Sequence, residues 1–113
     1  MFPYFTDNEL ECRCCGKLKI DRLFLGKLNQ AREMAQFPFV IDSGYRCPKH
    51  NTEVGSTSGN HVTGKAADIR CFDAHKRITI VASLIAVGML GIGVSKTFVH
   101  CDINRTTTTM WLY

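Results

Sequence analysis

The sequence predicts an α+β domain, a small and mostly antiparallel sheet packed with two main helices. Three observations carry this. Two segments repeat apolar residues at helical spacing, several shorter ones cluster apolar and β-branched residues as strands do, and Gly, Pro, Ser and Asn punctuate the joins. The order helix, strand, loop, strand, helix, strands belongs to the α+β class. A chain of 113 residues with 45% apolar and 21% charged residues is ordinary globular material, so one domain spanning 1–113 is expected.

The first helix is read from Ile20, Leu23, Phe24, Leu28, Ala31 and Met34, with Lys27, Gln30, Arg32 and Glu33 on the other face. Pro38 closes it, and PFVIDSGYR follows as a strand ended by Ser43-Gly44, delivering Tyr45 and Arg46 to its exit. Residues 47–65 are rich in Gly, Ser, Thr and Asn and lack sustained periodicity, which predicts a long loop, of a length that is usually functional or disordered. AADIRCF resumes as a short strand. Asp73 or its neighbour caps a second helix over about Ala74 to Val87, with Ile78, Val81, Leu84 and Ile85 at helical spacing and Gly88 at its end. GIGVSKTFVHCDIN reads as two short strands, or one kinked at Ser95-Lys96, and TTTTMWLY as a closing strand.

Composition narrows the function classes. The net charge of +4 comes with no dense run of Lys or Arg, so a nucleic-acid partner is not expected; an anionic target such as a bacterial cell wall is compatible but not selected. The opening MFPYFTDNELEC has neither a basic leader nor a long apolar stretch, so no secretory signal is expected: the chain starts in a cytoplasm or is a mature fragment. Residues 78–94 run 17 positions without a charge, short of the ~20 of a membrane span and crowded with Gly88, Gly91 and Gly93. A buried helix followed by a strand is the expectation there.

Six cysteines, Cys12, Cys14, Cys15, Cys47, Cys71 and Cys101, are read by default as reduced thiols. The CRCC cluster lacks the two-residue gap of common zinc knuckles, and no second close-spaced pair follows it; a structural metal or a disulfide to a distant cysteine stays open.

Of four histidines, His75 in DAHKR reads as a solvated surface residue. In FVHCDI the strand period of two sends His100 and Asp102 to one face and Val99 and Cys101 to the other. If the strand holding Asp68 is its neighbour, then His61, Asp68 and His100 converge as two imidazoles and a carboxylate, a set that leaves a catalytic zinc one open position. On spacing alone, a buried His100 bonded to Asp102 explains the pattern as well.

A resemblance sharpens the choice. HVTGKAAD matches the HxxGxAxD signature of the zinc D-alanyl-D-alanine carboxypeptidase family, whose fold is shared by D-Ala-D-Ala dipeptidases, phage peptidoglycan endopeptidases and, more distantly, the Hedgehog signalling domain. SGYRCPKHN at 43–51, EVGSTSGNH before the signature and GIGVSKTFVHCDI after it resemble the family's other motifs in order, over roughly residues 20–104. The resemblance implies Zn2+ held by His61, Asp68 and His100. It implies that Gly64 makes a sharp turn, that Ala66 leaves room for its neighbours, and that Arg46 holds a substrate carboxylate or the oxyanion at the scissile carbonyl.

The sequence also departs from many relatives. Their catalytic base, a glutamate three or a histidine two residues before the last zinc histidine, is replaced by Thr97 and Phe98. Asp102 is the expected substitute base, with an orienting role as its alternative and His50 as a weaker candidate. Gly59 stands where a serine is common, with Ser58 adjacent. The implied function is a monomeric zinc peptidase of peptidoglycan stem peptides containing D-residues. It would be a carboxypeptidase or a cell-wall endopeptidase such as a phage endolysin, acting at the wall in the periplasm or in phage lysis. The competing reading is a catalytically inactive zinc-binding module of the same fold, serving in assembly or recognition.

Overall fold

The computed structural model describes residues 4–55 and 59–113. The elements run α1 (Asp7–Leu10), α2 (Arg22–Ala35), β1 (Ile41–Ser43), α3 (Pro48–Glu53), β2 (Ala66–Arg70), α4 (Ala74–Ala86), β3 (Gly91–Val94), β4 (Phe98–Asp102) and β5 (Thr109–Leu112). The α+β class and the two long helices are as the sequence predicts. The 78–94 segment divides into the end of α4 and β3, and no described helix is long and apolar enough to cross a membrane.

Local chemistry sets the helix ends. The Asp21 carboxylate accepts the Phe24 amide at 2.9 Å to start α2, and Gln36, in the left-handed region at φ 62°, ends it. Asp73 starts α4 by accepting the amides of His75 (2.7 Å) and Lys76 (3.1 Å), and Gly88 at φ 85° follows its last turn. The buried stripes are narrower than the apolar spacing suggests. α2 buries Phe24, Leu28, Ala31 and Ala35 while Leu23 and Met34 face outward, and α4 buries Ile80, Ser83 and Leu84 while Ile78 and Ile85 are exposed. Each helix carries more apolar residues than one face accommodates, so the sheet and the neighbouring helix choose among them. Full burial of Phe24 and Leu28 contributes about 1.5–3 kcal/mol each.

Two expectations need correction. Residues 47–65 are not loop throughout, because α3 occupies Pro48–Glu53. Pro48 sits in its first turn, where a missing N–H costs nothing, and under two turns of helix leaves no readable period. The first strand is only Ile41–Ser43 rather than the whole of PFVIDSGYR.

The strand order is β1-β2-β4-β3-β5. Pairings β1·β2, β2·β4 and β3·β4 are antiparallel, while β5 lies parallel to β3 at the edge. The parallel pair needs no crossover helix: the chain leaves β4 beside the start of β3, passes that end and runs back antiparallel to β4 with β3 between them. Ala67, Ile69, Ile92, Val99 and Cys101 face the core with the two long helices. The alternate positions, Asp68, His100 and Asp102, turn to the opposite face with Gly91 and Gly93.

Candidate metal centre

Register brings the site together. Asp68 of β2 lies directly opposite His100 of β4, two central strands whose residues are 32 apart in sequence. His61 arrives from the turn before β2. There Gly64 adopts φ 73°, and a Cβ on it would run into the Lys19 carbonyl. Asn104, just past β4, ties that turn down: its amide donates to the Asn60 carbonyl at 3.1 Å and its Oδ1 accepts from the Thr63 hydroxyl at 3.0 Å.

His61 Nε2 and His100 Nδ1 lie 3.4 and 2.9 Å from the same Asp68 oxygen, Oδ1. Their partners on the far side decide what these atoms offer. The Gly44 carbonyl, 2.8 Å from His61 Nδ1, can only accept, so Nδ1 carries a proton and Nε2 of the neutral ring presents a lone pair. His100 Nε2 lies 2.7 Å from Asp102 Oδ2; in the neutral ring a proton held there leaves the lone pair on Nδ1, the atom facing Asp68. In the neutral rings two imidazole lone pairs and a carboxylate oxygen would converge, the donor set a cation needs; without an ion, protons on the ring nitrogens bridge them to Asp68 instead. Zinc with ligands at about 2.0–2.2 Å needs ligand atoms about 3.3–3.6 Å apart, close to what is seen, so the residues fit the ion.

Charge follows the same geometry in the metal-free protein. Burial pushes the Asp68 carboxyl up, but hydrogen bonds and charge from His100 and His61 outweigh it and hold it well below the usual range. Burial pushes His100 down, yet bonding to Asp102 and Asp68 prevails and raises it. Burial likewise opposes ionisation of Asp102, and the His100 bond with its charge, the Asn104 amide and Arg105 overcome it.

The three ligand candidates border a cleft of about 450 Å³ lined also by Arg46, Arg105, Phe98, Trp111 and Tyr113. Arg46 donates from Nε to Ser43 Oγ at 3.0 Å and from Nη1 to Asn51 Oδ1 at 3.4 Å, with Nη2 3.7 Å from Asp68 Oδ2. The aromatic wall depends on Gly93, where a Cβ would sit 2.7 Å from Trp111 Nε1 and from the Tyr113 ring. Trp111 lies 5.4 Å from the His100 ring, and the Arg105 guanidinium stacks 4.2 Å over Trp111.

Sequence reasoning placed His61, Asp68, His100 and Arg46 at one site, and the structure brings them together. Asp102 stands differently. It is completely buried behind the His100 ring, its Oδ2 also 3.3 Å from Arg105 Nη2 and its Oδ1 accepting the Asn104 amide at 3.2 Å, and it does not line the cleft. His50 lies on α3 and does not line the cleft either. Cys101 points into the core, where burial pushes its thiol up, so it is no ligand. His75 is exposed, as expected. Ser58 lies outside the described residues, while Gly59 has open space around it. Arg105, Trp111 and Tyr113 were missed; the only hint was Arg and aromatics following FVHCD.

The fold and site define an α+β domain in which two histidines and an aspartate that could hold a metal lie under an arginine-flanked cleft. A family profile described as Peptidase M15 matches residues 3–102, and the chain belongs to this family of zinc-dependent metallopeptidases that act on peptidoglycan peptides. It is the family that HVTGKAAD and its companion motifs resemble. Among curated proteins none matches the chain.

Proposed function

We propose that the chain hydrolyses a peptide bond of a D-residue-containing peptidoglycan stem peptide at the wall, with His61, Asp68 and His100 holding zinc. The observation that carries this is the convergence of His61 Nε2 and His100 Nδ1 on Asp68 Oδ1 beneath the cleft. Bound zinc supplies Lewis-acid polarisation of a carbonyl and a more acidic water. Gly44 and Asp102 orient the two histidines, and buried Asp102 retains the Nε2 proton of His100 so that Nδ1 stays a ligand. This replaces the general-base role expected of Asp102, since a carboxylate shut off from the cleft cannot reach a water there. Arg46, braced by Ser43 and Asn51, offers its remaining donor capacity to the scissile carbonyl oxygen as charge develops, or to a substrate carboxylate. Trp111 and Tyr113 wall the cleft against water and pack on the peptide.

Zinc-loaded protein incubated with defined stem peptides should release new amines, and mass analysis of the fragments separates removal of terminal D-Ala from internal cleavage. Chelation should stop release and zinc restore it. A protein that binds zinc but cleaves none of several wall chemotypes overturns the reading. It would then be a zinc-binding module of this fold, which one observation favours: among the described cleft-lining residues Asp68 has the sole carboxylate side chain, and it is taken up by the proposed ligand set.

A further inference from the structure

Away from the cleft, CRCC does not act alone. Cys12 Sγ lies 3.6 Å from Cys14 Sγ, and Cys14 Sγ lies 3.4 Å from Cys47 Sγ, brought from 33 residues on. With Cys15 they form a group whose sulfurs all lie within 4.8 Å of one another. The turn that gathers them is closed by the Gly16 amide donating to the Cys12 carbonyl at 2.9 Å, with Gly16 at φ 70°, and by the Cys12 amide donating to the Lys17 carbonyl at 2.7 Å. Backbone amides also point at sulfur: Cys47 N–H donates to Cys12 Sγ at 3.3 Å and His50 N–H to Cys47 Sγ at 3.4 Å.

We infer that Cys12, Cys14, Cys15 and Cys47 bind a structural zinc ion as four thiolates, a second metal site separate from the histidine centre. A Zn–S bond of about 2.3 Å in a tetrahedron requires sulfurs about 3.8 Å apart, near the spacing found. A disulfide needs about 2.05 Å and would strand the other two thiols. Amides aimed at the sulfurs stabilise thiolate charge. All four cysteines are free. The site clips the N-terminal segment onto residues 43–47, where the Tyr45 amide donates to the Leu10 carbonyl at 2.8 Å and a Cβ on Gly44 would sit 2.6 Å from that oxygen. That segment carries both the Gly44 carbonyl that orients His61 and the Arg46 side chain. The cysteine zinc therefore braces the cleft without touching it.

The test is metal content and cobalt spectroscopy on the whole chain, kept reduced. Wild-type protein should hold a second zinc equivalent beyond the histidine site. Its cobalt form should show the intense visible bands and near-ultraviolet sulfur-to-metal charge transfer of a tetrahedral thiolate centre. Cys14→Ser should lose one equivalent and those bands, while His61→Ala/His100→Ala should keep both the bands and one equivalent. Alkylation with mass analysis of the wild type reads the same site without a variant: the four thiols should be protected until a chelator is added. Absence of thiolate bands in the wild-type cobalt protein, or protection reversed by reductant and not by chelator, overturns the proposal.

Discussion

His100 Nε2 sits 2.7 Å from the Oδ2 of a fully buried Asp102, while Nδ1 on the other side of the ring faces Asp68. Asp102→Asn should therefore act through zinc, lowering its affinity about 10–100-fold. Peptide release should return when zinc is raised to saturation. Zinc titration beside kcat and KM checks this: a kcat that stays lost with zinc fully bound would make Asp102 the proton acceptor.

Arg46 is a test of charge placement. Arg46→Lys keeps the charge but not the fork that reaches Ser43, Asn51 and Asp68 together. We expect kcat/KM to fall about 10²-fold or more, the scale of losing one oxyanion donor, with zinc content unchanged. Measuring kcat/KM and metal content on the same preparation separates substrate handling from loss of the ion.

Two glycines of the 59–71 stretch should respond oppositely. Gly64→Ala places a Cβ against the Lys19 carbonyl at a positive φ and should cost at least about 1 kcal/mol, lowering Tm by several degrees. Gly59→Ser enters open space and should leave Tm unchanged. Thermal unfolding of the two variants beside the wild type decides it; equal effects would contradict the tight turn at Gly64.

Asp73 predicts a pH dependence. The Lys76 and His75 amides that its carboxylate accepts hold its pKa below the ordinary value. The folded state thus binds this proton less readily than the unfolded one. The stabilisation is complete above about pH 4, the unfolded value, and is lost as pH falls through the lower folded value. In urea unfolding, Asp73→Asn should be less sensitive than the wild type across that acid window, since the amide can still cap but cannot titrate.

Much of the site was legible in the chain, and the reasons are local. Alternation in FVHCD sends Val99 and Cys101 into the core and His100 to the opposite face, because a pleated strand leaves no other choice. The Asp73 cap and Gly88 stop bound α4 through atoms within a few residues. The HVTGKAAD signature carried the family and the ligand candidates. α3 escaped notice because six residues are too few for a period to show.

What tertiary structure alone decided lies between distant residues. The pairing of Asp68 with His100 is a strand register, and it settles which His100 nitrogen faces the cleft and which faces Asp102. Cys47 meets CRCC only once the N-terminal segment packs on residues 43–47. Trp111 and Tyr113 become a cleft wall only because β5 lies beside Gly93. A sequence specifies which side chains can do the chemistry through its local pattern. Their mutual distances come from register and packing, which depend on the whole core at once.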